Sequence, residues 1–297
     1  MPARSSLFEM PSPFDEHGNT VLLLEPPSAK VGELRARLLD ESYGRPFVVD
    51  DGERRYLQFS AHLIQSAMRL KEPNALDLRY TQKMMSFLLF HPRPRRIVLI
   101  GLGGGSLIKY CYTRLPATHL TAVELDPDVI ALRDAFLLPP DDERLQVLQA
   151  DGAEYLAEAE KGIDVLLVDA FDKIGFAPTL ANKAFFEQAK AKLSGSGVLV
   201  VNLAGEAETY AGVIGQAAET FDDRVIVFPV REDDNHVMLA FKDSTIEPGS
   251  SLNWRRLQTL AKSLRSKFGL DFPVFVDKME RAMRMGLVQR EAGRGGR

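Results

Sequence analysis

The chain has one cysteine, Cys111, in 297 residues. An intrachain disulfide is therefore excluded, and a lone thiol suits a reducing compartment. Cys111 sits among the apolar residues of a helical stretch, Leu107–Leu115. It reads as a packed side chain, because reactive thiols need an electropositive and accessible setting. One cysteine and five scattered histidines are too few for a structural zinc site, so no metal is expected. No run approaches the roughly eighteen consecutive apolar residues of a membrane span. Met1 to Pro13 holds no apolar core of signal-peptide length. These absences predict a cytoplasmic protein with no membrane partner. A large charge excess is also lacking. The formal net charge of −4 argues against a nucleic-acid partner, which calls for a basic face. There are no internal repeats.

With 45% hydrophobic and 26% charged residues, the chain has the composition of a globular protein. Residues 1–20, rich in Pro, Ser and charge, read as a loose arm, and residues 286–297 as a frayed tail. Residues 21–75 read as a small β-rich domain. Its strands are Val21–Leu24, Phe47–Val49 and Tyr56–Phe59, with a hairpin signal at Asp50–Asp51–Gly52 and a short helix at Val31–Leu39. Residues 76–285 read as the larger domain. An amphipathic helix over Leu76–Phe90 is ended by His91–Pro92–Arg93–Pro94.

Beyond that break, apolar runs alternate with helical stretches. Ile97–Ile100, Leu120–Val123, Leu145–Leu148, Val165–Val168 and Val198–Val201 are the runs. Ser106–Leu115, Pro127–Phe136, Ala153–Glu158 and Lys183–Leu193 are the helices. Continuous apolar strands separated by helices predict an α/β fold with a mostly parallel sheet covered on both faces, Rossmann-like in type. Arg224–Phe228 and Val237–Phe241 predict an antiparallel edge hairpin, and Trp254–Phe268 a final amphipathic helix.

The first strand runs straight into Gly101–Leu102–Gly103–Gly104–Gly105. A glycine loop between strand and helix brings backbone N–H groups close to a ligand. A dinucleotide fingerprint would put a third glycine at position 106, which is Ser106. That spacing disfavours a dehydrogenase. The G-x-G-x-G pattern of Gly101, Gly103 and Gly105 suits a nucleoside with a small side arm. Glu124 ends the second strand about twenty residues on, where a carboxylate can accept from a ribose diol. Asp126, Asp151 with Gly152, and Asp169 follow at successive strand ends. Each carboxylate also has a plain role open to it: Glu124 and Asp126 at a helix start, and Asp151 as an N-cap. Together with the loop they point to an adenosyl nucleoside carrying a sulfonium, with Asp151 accepting from the adenine amino group. Asp169 and Asp172, three apart after a buried strand, are the catalytic candidates. Neighbouring carboxylates raise one another's pKa, which suits a general base. Asp172 also fits a loop turn.

Over roughly residues 43–241 the chain resembles the spermidine synthase family of aminopropyltransferases. The matching pieces are Gly101–Gly105, Val123–Glu124–Leu125–Asp126, Asp151–Gly152, Asp169-x-x-Asp172, and the run Ile174–Gly175…Leu180…Phe185–Phe186. The resemblance implies a small N-terminal β-domain before a Rossmann-like domain and a homodimer. It implies transfer of aminopropyl from decarboxylated S-adenosylmethionine, as a co-substrate rather than a tightly bound cofactor, to a small-molecule amine acceptor. It implies Asp169 as general base, Asp172 as a substrate contact, Glu124 at the ribose and Asp151 at the adenine. It also implies substrate contacts from Gln65, Tyr80 and Gln82.

The chain departs from the family at the amine end. Gly104 stands where an Asp is usual, Tyr80–Thr81–Gln82 where Tyr-His-Glu is usual, Tyr43–Gly44 where Tyr-Gln is usual, and Lys173 where Pro is usual. At an effective dielectric near 20, like charges about 6 Å apart repel by roughly 3 kcal/mol. A Lys173 turned inward would thus weaken diamine binding about a hundredfold. Two alternatives stay open: methyl transfer from intact S-adenosylmethionine, whose carboxylate Gly104 would not repel, and a non-catalytic nucleoside-binding protein. The fold alone does not separate them.

Overall fold

The computed structural model describes residues 7–14, 18–61, 63–170, 178–204, 207–230, 235–246 and 252–286. Five antiparallel strands follow one another across a small sheet: β1 (Phe8–Pro11), β2 (Thr20–Leu23), β3 (Phe47–Asp50), β4 (Arg54–Ser60) and β5 (Leu63–Arg69). Helix α1 (Val31–Leu39) lies between β2 and β3. The β3–β4 turn is held by side chains acting as backbone substitutes. Asp50 accepts from the Gly52 N–H at 2.8 Å, and Asp51 from the Glu53 and Arg54 N–H groups at 2.8 and 2.6 Å.

Two corrections belong to this sheet. Phe8–Pro11 is not part of a loose arm. Met10 is buried beside Val21 and Leu23, and that contact seats β1 at the sheet edge, where Pro11 is tolerated. Strand β5 was not legible as a strand, because Leu63 and Ile64 are exposed and register shifts against β4 blur the alternation.

The expected helix over Leu76–Phe90 is two shorter pieces: α2 (Arg79–Met84) and a 3-10 turn at Met85–Leu89. Met84 through Leu89 are buried on every side, so this segment is core rather than an amphipathic surface helix.

The second sheet has seven strands: β6 (Arg96–Ile100), β7 (His119–Glu124), β8 (Leu145–Gln149), β9 (Ile163–Val168), β10 (Leu193–Ala204), β11 (Val225–Val230) and β12 (Asn235–Phe241). Their order is β11-β12-β10-β9-β6-β7-β8. β10, β9, β6, β7 and β8 run parallel, while β12 is antiparallel to both β10 and β11. The crossovers are α3 (Ser106–Arg114), α4 (Pro127–Ala131), α5 (Gly152–Glu158), α6 (Lys183–Lys192) and α7 (Ala207–Thr220). α4 is shorter than the expected Pro127–Phe136 helix, since three-residue turns replace it after Ala131. Helix α8 (Trp254–Phe268) is followed by α9 (Phe272–Arg284). The sequence pattern predicts Trp254–Phe268 as the final helix, but one more helix follows it. Gly269 breaks the helix, and α9 packs Phe272, Phe275, Val276 and Met279 into the core.

Cys111 is fully buried, and burial pushes its thiol up to about 12. No helix among the described residues is long and apolar enough to cross a membrane.

The chain starts the large sheet at β6, steps to β7 and β8 on one side, then crosses to β9 and β10 on the other. A crevice opens where that direction reverses, outside the carboxyl ends of β6 and β9. Gly101 and Asp169 lie there.

Candidate active site

Gly101 follows β6 with φ of +91°. A Cβ at this position would lie 2.2 Å from the Asp169 carbonyl oxygen, so only glycine lets the loop cross the end of β9. The loop is stitched to its neighbours. The Gly101 N–H donates to the Val123 carbonyl at 2.9 Å, and the Leu102 N–H to Glu124 Oε2 at 2.8 Å. Glu124 Oε1 accepts from the Asp126 N–H at 2.9 Å. Glu124 therefore arrives oriented. Each carboxylate oxygen has a second acceptor direction, so both can still receive a hydroxyl.

A cavity of about 900 Å³ opens over this point. One wall comes from the small sheet, with Leu57, Phe59, Gln65 and Ser66. The floor is the carboxyl edge of the large sheet. Of the expected site residues, Gln65, Tyr80, Gly101, Gly103, Glu124, Asp126, Asp151, Gly152 and Asp169 all line it.

Asp126 and Asp151 are also helix caps. Asp126 accepts from the Asp128 N–H at 2.8 Å. Asp151 Oδ1 accepts from the Ala153 and Glu154 N–H groups at 2.8 and 3.1 Å. In each case one oxygen serves the helix, and the residue still faces the cavity.

Asp169 stands just past β9, deep in the protein but with some access to the cavity. The Tyr80 hydroxyl donates to its Oδ2 at 3.2 Å, and Asn202 Nδ2 to its Oδ1 at 2.9 Å. Burial pushes the carboxyl up to about 6, while these two hydrogen bonds pull the other way. It is thus mostly ionised at neutral pH and close enough to neutrality to exchange a proton.

Several expected residues lie elsewhere. Gly105 caps the start of α3 and does not line the cavity. Gln82 turns away, its Nε2 donating to the Leu76 carbonyl at 2.9 Å, and its neighbour Thr81 lines the cavity instead. A Cβ on Gly104 would lie 2.8 Å from Ser66 Oγ and 2.9 Å from a Phe136 ring carbon. The space of the absent side chain is therefore filled. Asp172, Lys173, Ile174 and Gly175 fall outside the described residues.

Sequence reasoning missed Ser66, Thr81, Asn202 and Asn235, which also line the cavity. Asn202 left a signal, as the polar interruption closing an apolar strand run. Asn235 left none, because nothing local shows where an antiparallel strand begins against its neighbours.

A family model described as the spermine/spermidine synthase domain matches residues 78–219. The polyamine aminopropyltransferase of Chromobacterium violaceum is 34% identical over 247 residues, covering 83% of this chain and 93% of that protein. The solved spermidine synthase of Thermotoga maritima superposes with a TM-score of 0.60 at 19% identity, covering 84% of each chain. Human methyltransferase-like protein 13, solved with SAH, superposes with a TM-score of 0.58 at 21% identity, covering 65% of this chain and 93% of that one. The two structural likenesses carry the fold, a Rossmann-like one of methyltransferase type.

Proposed function

The chain belongs to the spermine/spermidine synthase family, and from that premise we propose that it moves an aminopropyl group from decarboxylated S-adenosylmethionine to an amine acceptor. The observation that carries this reading is the place of Asp169. It sits at the sheet's switch point, between a nucleoside end built from Glu124, Asp126 and Asp151 and a polar end built from Tyr80, Thr81, Asn202 and Asn235.

In this reading the glycine loop and Glu124 hold the ribose, and Asp151 accepts from the adenine amino group. The acceptor's nitrogen must present a lone pair. Asp169 takes the proton as that nitrogen attacks the methylene carbon beside the sulfonium. The C–S bond breaks, its electron pair neutralises the sulfur, and methylthioadenosine leaves. Asp172, two residues beyond the described edge of this site, is the proposed second contact to the amine; Gln65 and Tyr80 are further proposed contacts. The nucleosides are co-substrates rather than resident cofactors. The reading takes the protein as a cytoplasmic homodimer with no nucleic-acid partner, which light scattering and localisation of a tagged chain test.

The deciding experiment offers purified protein decarboxylated and intact S-adenosylmethionine with a panel of mono-, di- and polyamines. Methylthioadenosine together with an aminopropylated amine is the expected product. A methylated product from the intact donor would replace this reading with methyl transfer. Nucleoside binding without any product would leave a binding protein.

A further inference from the structure

The Asp169 carboxyl is held by an amide that is itself held by another amide. Asn202 Nδ2 donates to Asp169 Oδ1 at 2.9 Å, and Asn235 Nδ2 donates to Asn202 Oδ1 at 3.0 Å. Asn202 and Asn235 are 2% and 8% exposed, so neither amide can turn to bulk water for a partner. They come from β10 and β12. In the antiparallel register Asn202 faces Val237 and Ala204 faces Asn235, which makes the two asparagines diagonal neighbours.

A half-turn of an asparagine amide keeps its shape and exchanges the acceptor oxygen for the donor NH2. Here the half-turn is forbidden twice. It would aim the Asn202 oxygen at the Asp169 carboxylate and its NH2 at the NH2 of Asn235. Loss of both hydrogen bonds in a buried place is costly. The Asn235 NH2 on Asn202 Oδ1 thus favours the same orientation of Asn202 that the carboxylate selects.

The chemistry suits the site. A lysine or arginine in place of Asn202 would also favour the ionised carboxylate, but it would repel a cationic amine or sulfonium. Neutral amides favour the carboxylate without that repulsion. Asp169 also meets the Tyr80 hydroxyl from α2 and, on the β6 side, the Gly101 backbone and the Ile100 carbonyl, which accepts from the Asp169 N–H. Glu124 lies at the end of β7, beyond that loop.

We propose that Asn202 and Asn235 form a two-amide relay that positions Asp169 and keeps it ionised, with Asn235 acting only through Asn202. The proposal deepens the aminopropyl-transfer reading and rests on Asp169 as its base. Both asparagines are positioning residues.

The test reads Asp169 directly, by carbon NMR of the full protein labelled at aspartate carboxyls, with the signal assigned from its loss in Asp169→Asn. Asn202→Leu is expected to raise the Asp169 titration midpoint by about one pH unit, a tenfold gain in proton affinity. Asn235→Ala is expected to raise it by a smaller amount, about threefold in affinity, and to add nothing in the Asn202→Leu background. The acid limb of kcat/KM against pH should move with the midpoint, with KM for the nucleoside unchanged. Should Asn202→Leu fail to fold, Asn235→Ala carries the test alone, since it leaves Asn202 in place. A midpoint unmoved by Asn235→Ala, or effects of the two changes that simply add, would overturn the relay. Because the NMR midpoint needs no reaction, a shifted midpoint in a protein that forms no aminopropylated product would overturn the transfer reading and leave the relay standing.

Discussion

In the proposed mechanism Asp169 acts in its ionised form, yet its burial resists ionisation. Its folded pKa is pushed from the ordinary 3.8 up to about 6. The native state therefore holds a proton more tightly than the unfolded state. Asp169's contribution to stability is fully present below about pH 4 and is lost as pH rises through about 6, at most roughly 3 kcal/mol in size. Asp169→Asn removes that cost and keeps the shape. It should lower kcat about a thousandfold, raise the melting temperature at pH 8, and leave it unraised at pH 4; differential scanning calorimetry at both values checks this. In the unaltered enzyme, kcat/KM should fall about tenfold per unit below pH 6. Gly104 is the other telling residue. Restoring a carboxylate there by Gly104→Asp meets Ser66 Oγ and Phe136 below 3 Å. Overpacking of this kind costs about 1–3 kcal/mol. Denaturant titration should show that loss, and adding Ser66→Ala with Phe136→Leu should recover part of it.

Among the secondary elements, α4 and α5 each start on a carboxylate that both caps the helix and lines the cavity. Asp151 caps α5 with Oδ1, and the same residue lines the cavity at what is proposed as its nucleoside end. Two substitutions separate the roles. Asp151→Ala should cost about 1 kcal/mol of stability through the lost cap and also weaken nucleoside binding. Asp151→Asn retains a capping oxygen, so its stability should stay within a few tenths of a kcal/mol of the parent. Its affinity for methylthioadenosine should still drop several-fold, because an NH2 cannot accept from the adenine amino group. Titration calorimetry beside denaturant melts reads both. Equal affinity in Asp151→Asn and the parent would confine Asp151 to the helix.

For the whole molecule, the cavity exists only because the small sheet lies against the large one. Arg45 is one tie between them. Its Nε and Nη2 each reach an Asp128 oxygen at 2.7 Å, and its Nη1 donates to the Leu24 carbonyl. Arg55 Nη1 donates to the Ala135 carbonyl at 2.6 Å. Gly44 and Pro46, on either side of Arg45, line the cavity. Arg45 is partly exposed, so Arg45→Met should cost less than about 1 kcal/mol of stability. Its larger effect should be on the wall, seen as faster amide exchange at residues 44–48 and a several-fold rise in KM for the nucleoside. An unchanged KM would mean that hydrophobic packing alone holds the wall.

Apolar runs, strand-end carboxylates and the glycine loop are short-range patterns. The sequence by itself therefore determined the parallel sheet, the crossover helices, and the gathering of Gly101, Glu124, Asp151 and Asp169 at one edge. The family resemblance lay in those same residues. What only the tertiary structure decided depends on chain segments far apart. Asn235 reaches the site because β12 runs antiparallel beside β10. Gln82 is spent on the Leu76 carbonyl. The room beside Gly104 is taken by Ser66 from the small sheet and Phe136 from the large domain. Met10 draws in a strand from a segment that reads as a loose arm. Local periodicity tells which face of an element is apolar, and only packing between distant elements tells which polar side chain meets which.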